Sequence, residues 1–176
     1  MDILPVLQTG KFIVLCAPDA ARTESMLLIA ELGLRGAVTI MDGGNRYRPY
    51  QVAMHLRRKT VEIAAAANRL FSRRAFTCYE MNTLLRSTPS LNQTCLILDL
   101  LHTFYDDHVP THEACRLLKS CLSQIRRLAL SGPVIVTLAP PAAKARHFLL
   151  EQVCRQADAV FFKETPVCQS NQPALF

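Results

Sequence analysis

Two rhythms of apolar positions alternate along this chain. Short runs that are apolar at every position are separated by longer stretches in which apolar residues return every third or fourth place. "KFIVLCA" reads as a buried strand, and "RTESMLLIAELGL" as a helix ending near Gly33. "GAVTIMD" is a second strand. Pro49 then opens a helix expected to run to about Leu70, with Val52, Leu56, Ile63 and Leu70 as its inner stripe and His55, Arg58, Glu62 and Arg69 on the opposite face. "FSRRAF" is a short third strand, followed by a helix through about Leu85. "TCLILDLL" is apolar enough to be a strand covered on both faces. "HTFYDDHVPT" reads as a loop. In "HEACRLLKSCLSQIRRLAL", Leu117, Leu118, Cys121, Leu122, Ile125 and Leu128 form an inward face, and Arg116, Lys119, Ser123 and Arg127 lie off it. "GPVIVTLA" is a further buried strand, "PPAAKARHFLLEQVCRQ" a loop entering a helix, and "DAVFFKE" a last strand.

Strands separated by helices call for crossover connections. The fold class is therefore α/β, with a mainly parallel sheet covered on both faces. One domain is expected over residues 1–164, and the aperiodic stretch 165–176 reads as a flexible tail. Ligands of such sheets bind at the carboxyl ends of the strands. That rule brings Cys16–Thr23, Asp42–Arg48, Arg74–Thr77, Asp99–Tyr105 and Thr137–Pro141 to one edge of the molecule.

Composition narrows the class. The 176 residues suffice for one full core, and half of them are hydrophobic, which argues against disorder. The apolar runs are strand-length, too short to span a bilayer. The start "MDILPVLQTGKFIVLC" lacks a basic region ahead of its apolar stretch, so no secretory leader is expected. Seven cysteines with no C-x-x-C pair suit a reducing compartment, the cytoplasm or a nucleus. The net charge of +6 is concentrated. Arg46, Arg48, Arg57, Arg58, Lys59, Arg69, Arg73 and Arg74 face a single acid, Glu62, within one segment. Such a surplus suits an anionic partner, nucleic acid or an acidic protein, or else is a solvated helix face.

Several degenerate motifs then follow in an order that resembles the ATPase core of RecA/RadA-type recombinases, over roughly residues 5–164. "CAPDAART" occupies the place of the phosphate loop G-x-x-x-x-G-K-S/T. Cys16 and Ala21 stand for its glycines, Arg22 for its lysine and Thr23 for its hydroxyl residue. "MDGGNRYRPYQ" resembles the family's D-x-E-G-x-F-R-P segment through Asp42, Arg48 and Pro49, with Gly44 where the family has its catalytic glutamate. "RRAF" resembles a strand-to-helix junction of the family. "CLILD" resembles the Walker B strand, ending at Asp99. "PVIVTLAPP" resembles the strand ending in T-N-Q, with Leu138 and Ala139 in place of Asn and Gln. The resemblance implies a three-layer α/β/α RecA-like P-loop fold.

Chemistry at those positions implies loss of catalysis. Phosphate loops rely on glycines with positive φ so that successive N–H groups face the phosphates. Cβ atoms at Cys16 and Ala21 would cost roughly 1–2 kcal/mol each in a left-handed conformation. Asp19 brings negative charge to the place of the phosphates, and Arg22 is longer and flatter than a lysine. Thr23 and Asp99 could still hold Mg²⁺, but Gly44 cannot act on water. No catalytic residue and no obligatory cofactor is therefore expected; ATP with Mg²⁺ on Arg22, Thr23 and Asp99 is the alternative.

His102, Asp106, Asp107, His108, His112 and Glu113 cluster in one stretch, but Pro110 separates His108 from His112 and no metal-binding pattern supports them. Thr111 is a candidate N-cap. In the recombinase resemblance this stretch lies near the first DNA-contacting loop, and its acidity argues against strong phosphate contact there. A second would follow Thr137, carrying Lys144, Arg146 and His147 near a helix start, as phosphate-seeking cations or as solvated residues. The resemblance implies an accessory protein of DNA recombination or repair. It would act by binding a RecA-like paralog, another repair factor or single-stranded DNA through Arg46, Arg48, Arg57, Arg58, Lys59, Arg73, Arg74, Lys144 and Arg146, with oligomer formation open. The alternatives are a nucleotide-binding switch with little hydrolysis and a scaffold protein without nucleic-acid contact.

Overall fold

The computed structural model describes residues 7–142 and 144–163, and for Lys144 the backbone alone. Six strands, β1 (Phe12–Cys16), β2 (Val38–Asp42), β3 (Leu70–Arg74), β4 (Thr94–Leu98), β5 (Val134–Leu138) and β6 (Ala159–Phe162), form one sheet in the order β3-β2-β4-β5-β1-β6. Every pairing is parallel. The helices are α1 (Arg22–Arg35), α2 (Pro49–Arg57), α3 (Ile63–Ala67), α4 (Cys78–Ser87), α5 (Thr111–Ala129) and α6 (His147–Gln156).

Side chains that alternate across a strand reach opposite faces, and the inner strands use both. Phe12, Val14 and Cys16, with Cys95, Ile97, Val134 and Val136, join the core under α4, α5 and α6. Ile13 and Leu15, with Leu96, Leu98 and Ile135, join the core under α1, α2 and α3. The result is a three-layer α/β/α arrangement, as expected. The edge strand β3 has Phe71 through Arg74 exposed, which explains its polar sequence.

Three boundaries differ from expectation. The helix opened by Pro49 does not continue to Leu70. It stops at Arg57, and α3 resumes at Ile63. The Thr60 hydroxyl accepts the Glu62 N–H at 3.0 Å, a local bond that competes with helix propagation, and Val61 stands almost fully exposed. The inner stripe survives the break: Val52 and Leu56 are buried, and Ile63 and Leu70 pack against the same core. The third strand begins one residue early, at Leu70, and ends at Arg74. Thr111 is not the cap of α5 but its first residue, after Pro110. The α4 start is capped by Thr77 instead: Thr77 Oγ1 accepts the Glu80 N–H, and Glu80 Oε2 reaches back to accept the N–H of Phe76, one residue before the cap, at 2.7 Å. The stretch 164–176 lies outside the described residues.

Candidate functional site

The carboxyl ends of β1, β2, β4 and β5 meet at one edge. There the segment after β1 turns back at once: Ala17 N–H donates to the Leu138 carbonyl and Ala20 N–H to the Ala17 carbonyl. Cys16 is an ordinary strand residue, paired with Leu138 and Phe162. Of the two positions expected to be left-handed, Cys16 is not, while Ala21 is (φ 51°), together with its neighbour Ala20 (φ 55°). Burial first, then the neighbouring Cys154, pushes the Cys16 thiol up to about 11. Arg22 is half-buried and Thr23 exposed.

The start of α1 already has its own carboxylates. Asp19 Oδ1 accepts the Ala21 N–H at 3.1 Å. Lys163, whose N–H bonds the Cys16 carbonyl at 2.8 Å, lays its ammonium on Glu24 in the first turn. Burial alone would raise the Glu24 carboxyl, but hydrogen bonds from Lys163 and from its own backbone outweigh it and hold it below the ordinary value.

Asp99 follows β4 in a left-handed conformation (φ 49°) and is 1% exposed. Its N–H donates to Thr137 Oγ1 at 2.9 Å. Its Oδ2 receives both Nε (2.8 Å) and Nη2 (2.7 Å) of Arg46. Its Oδ1 receives the Ala139 N–H at 3.4 Å. Arg46 is delivered by the turn after β2, where the buried Asp42 accepts the N–H groups of Arg46 (2.8 Å) and Tyr47 (3.0 Å). Arg74 Nη2 lies 3.5 Å from the same Asp42 carboxylate.

A cavity of about 580 Å³ opens beside this pair, walled by Arg46, Phe76, Asp99, Thr103, Tyr105 and Asp106 among others. Arg22 and Thr23 are not among its walls. Two loops form its far side, and they are tied together. Tyr105 OH donates to the Ala139 carbonyl at 3.2 Å. Arg146 donates to the carbonyls of Phe104 (2.5 Å) and Val109 (2.7 Å). Burial first, then the charge of Asp99, raises the Tyr105 phenol well above its ordinary value.

A magnesium triphosphate does not fit these residues as they stand. The only buried carboxylate at the end of β4 is already taken by a guanidinium, and a carboxylate sits on the Ala21 N–H at the loop. Among the described residues, no group of three or more His, Cys, Asp or Glu could hold a metal ion.

The basic positions resolve into two sets. Arg46 is paired with Asp99, Lys59 with Glu31 and Arg74 with Asp42. Arg48 donates to the carbonyls of Asn45 (2.9 Å) and Tyr47 (3.0 Å), and Arg69 to that of Leu34 at 3.2 Å. Within the basic segment, only Arg57, Arg58 and Arg73 are exposed without such a side-chain contact among the described residues. Arg146 is neither a solvated residue nor an outward cation: it is 8% exposed, and both expectations for it are corrected. The Lys144 side chain lies outside what the structure describes.

Sequence reasoning placed Asp99 and the edge but missed the Arg46–Asp99 pair and the walls Phe76, Thr103 and Tyr105. A signal existed: a carboxylate ending an apolar strand needs a cation, and Arg46 follows closely on the small residue Gly44. Set against models of protein families and against curated proteins, the chain matches none.

Proposed function

We propose that this chain is a RecA-like core that has given up metal-dependent hydrolysis and works by binding, as an accessory protein of DNA recombination or repair. The observation that carries the proposal is the internal ion pair. Arg46 supplies at Asp99 the positive charge that a metal would otherwise bring, and Asp19 and Glu24 bring negative charge to the α1 start. A core satisfied in this way needs no nucleotide to hold its edge together.

The partner engages the free cations Arg57, Arg58 and Arg73. Three phosphate contacts on single-stranded DNA give a log–log salt slope of only about −2. Binding through this surface is thus shallow in salt, and a RecA-like protein with an acidic face is favoured over DNA alone because five of the eight cations in the basic segment are already engaged internally.

The test is direct. Magnesium-ATP produces no turnover and no thermal stabilisation, whereas a ligand at a hundredfold excess over its Kd would add about 2.7 kcal/mol. Reversing Arg57, Arg58 and Arg73 together abolishes capture of the partner or of single-stranded DNA. Brisk ATP hydrolysis would overturn the proposal. Tight nucleotide binding without hydrolysis would replace it with a nucleotide switch.

A further inference from the structure

The cavity beside Asp99 has acceptors left to use. Tyr105 spends its proton on the Ala139 carbonyl, so its oxygen offers only lone pairs. Asp106 accepts the His108 N–H through Oδ1 at 2.9 Å, and its second oxygen has no partner among the described residues. Against these stand the Nη1 group of Arg46 and the ring of His102. Among the described residues that line it, two carboxylates, Asp99 and Asp106, face one guanidinium, which is already paired with Asp99. Phe76 stands 75% exposed at the wall, with Pro18 and Pro140.

A polyanion meets the wrong charge here. A guanidinium meets an aromatic side chain, a free carboxylate oxygen and the Tyr105 oxygen, and its planar set of N–H donors matches that supply. We propose that this cavity binds a guanidinium group, carried either by a small molecule or by an arginine side chain of a partner protein. The inference uses the internal Arg46–Asp99 pair but not the likeness to recombinases, so ATP hydrolysis and guanidinium binding can fail separately.

The experiment is an NMR titration of the full chain with n-butylguanidinium, its neutral isostere n-butylurea, a capped Gly-Arg-Gly peptide and inorganic triphosphate. Saturable shifts at Phe76 and at residues 102–106 with n-butylguanidinium, at a Kd of about 1 mM, are expected. Asp106→Asn and Phe76→Ala change exposed residues and each weaken binding about fivefold. A peptide that binds at least about tenfold tighter than n-butylguanidinium assigns the site to a protein side chain, and equal affinities assign it to a free ligand. Equal binding of n-butylurea, tighter binding of triphosphate at the same residues, or no shift at about 10 mM would each overturn the proposal.

Discussion

A β-carbon on Gly44 would fall 2.5 Å from the Asp99 Oδ2 atom. The absence of a side chain at position 44 is thus what lets the carboxylate stand where Arg46 can reach it. Gly44→Ala should destabilise by about 1–3 kcal/mol through overpacking. Gly44→Glu should be worse, since it drives one carboxylate into another, and should restore no hydrolysis. Denaturant midpoints and an ATPase assay check both; a stable, hydrolysing Gly44→Glu variant would refute the internal-pair account.

The Arg46–Asp99 pair should behave as a buried pair with one exposed flank. Arg46→Met leaves the Asp99 charge uncompensated and should cost about 3 kcal/mol. Asp99→Asn in the same chain should recover much of that loss. A double-mutant cycle on urea unfolding measures the coupling, which independent residues would not show.

Ala20 and Ala21 hold the loop after β1 in a conformation that favours glycine. Ala20→Gly or Ala21→Gly should relieve about 1–2 kcal/mol of backbone strain while adding about 0.4–1 kcal/mol of unfolded-state freedom. Each should therefore be neutral to stabilising by thermal melting. Marked destabilisation by both would show that the alanine side chains, which are buried, matter more than the backbone.

Acid sensitivity should have a source at the opposite end of the sheet. Asp158 Oδ2 accepts the Phe12 N–H at 2.7 Å and an Arg126 N–H at 2.8 Å, and the Phe12 bond foremost holds its carboxyl below the ordinary value. A folded-state value below the unfolded one, near 3.9, means that its contribution is complete above about pH 5. That contribution is lost as the pH falls through the folded value. Asp158→Asn should lower stability near neutrality and flatten the acid limb of a midpoint-against-pH curve.

The inner strands were legible because burial on both faces leaves an unbroken apolar run, and α5 because its apolar residues keep a helical period over 19 residues. What escaped was local competition and distant pairing. Nothing in the stripe Val52, Leu56, Ile63 and Leu70 reveals that the Thr60 hydroxyl will capture the Glu62 N–H. The contact between Arg46 and Asp99 joins residues 53 positions apart, and that between Arg146 and Phe104 residues 42 apart. Local periodicity carries no trace of either. For the same reason charge counting overstated the free basic surface, since the partners of Lys59, Arg69 and Arg74 come from other elements.

The sheet order has a consequence for biosynthesis. β1 is the first strand of this sheet to leave the ribosome, yet its two neighbours, β5 and β6, are the last strands of the sheet to emerge, and the Phe12–Asp158 bond spans 146 positions. Until then a fully apolar strand waits without lateral support. Nascent chains should depend on holding chaperones, and maturation should be late and abrupt rather than stepwise.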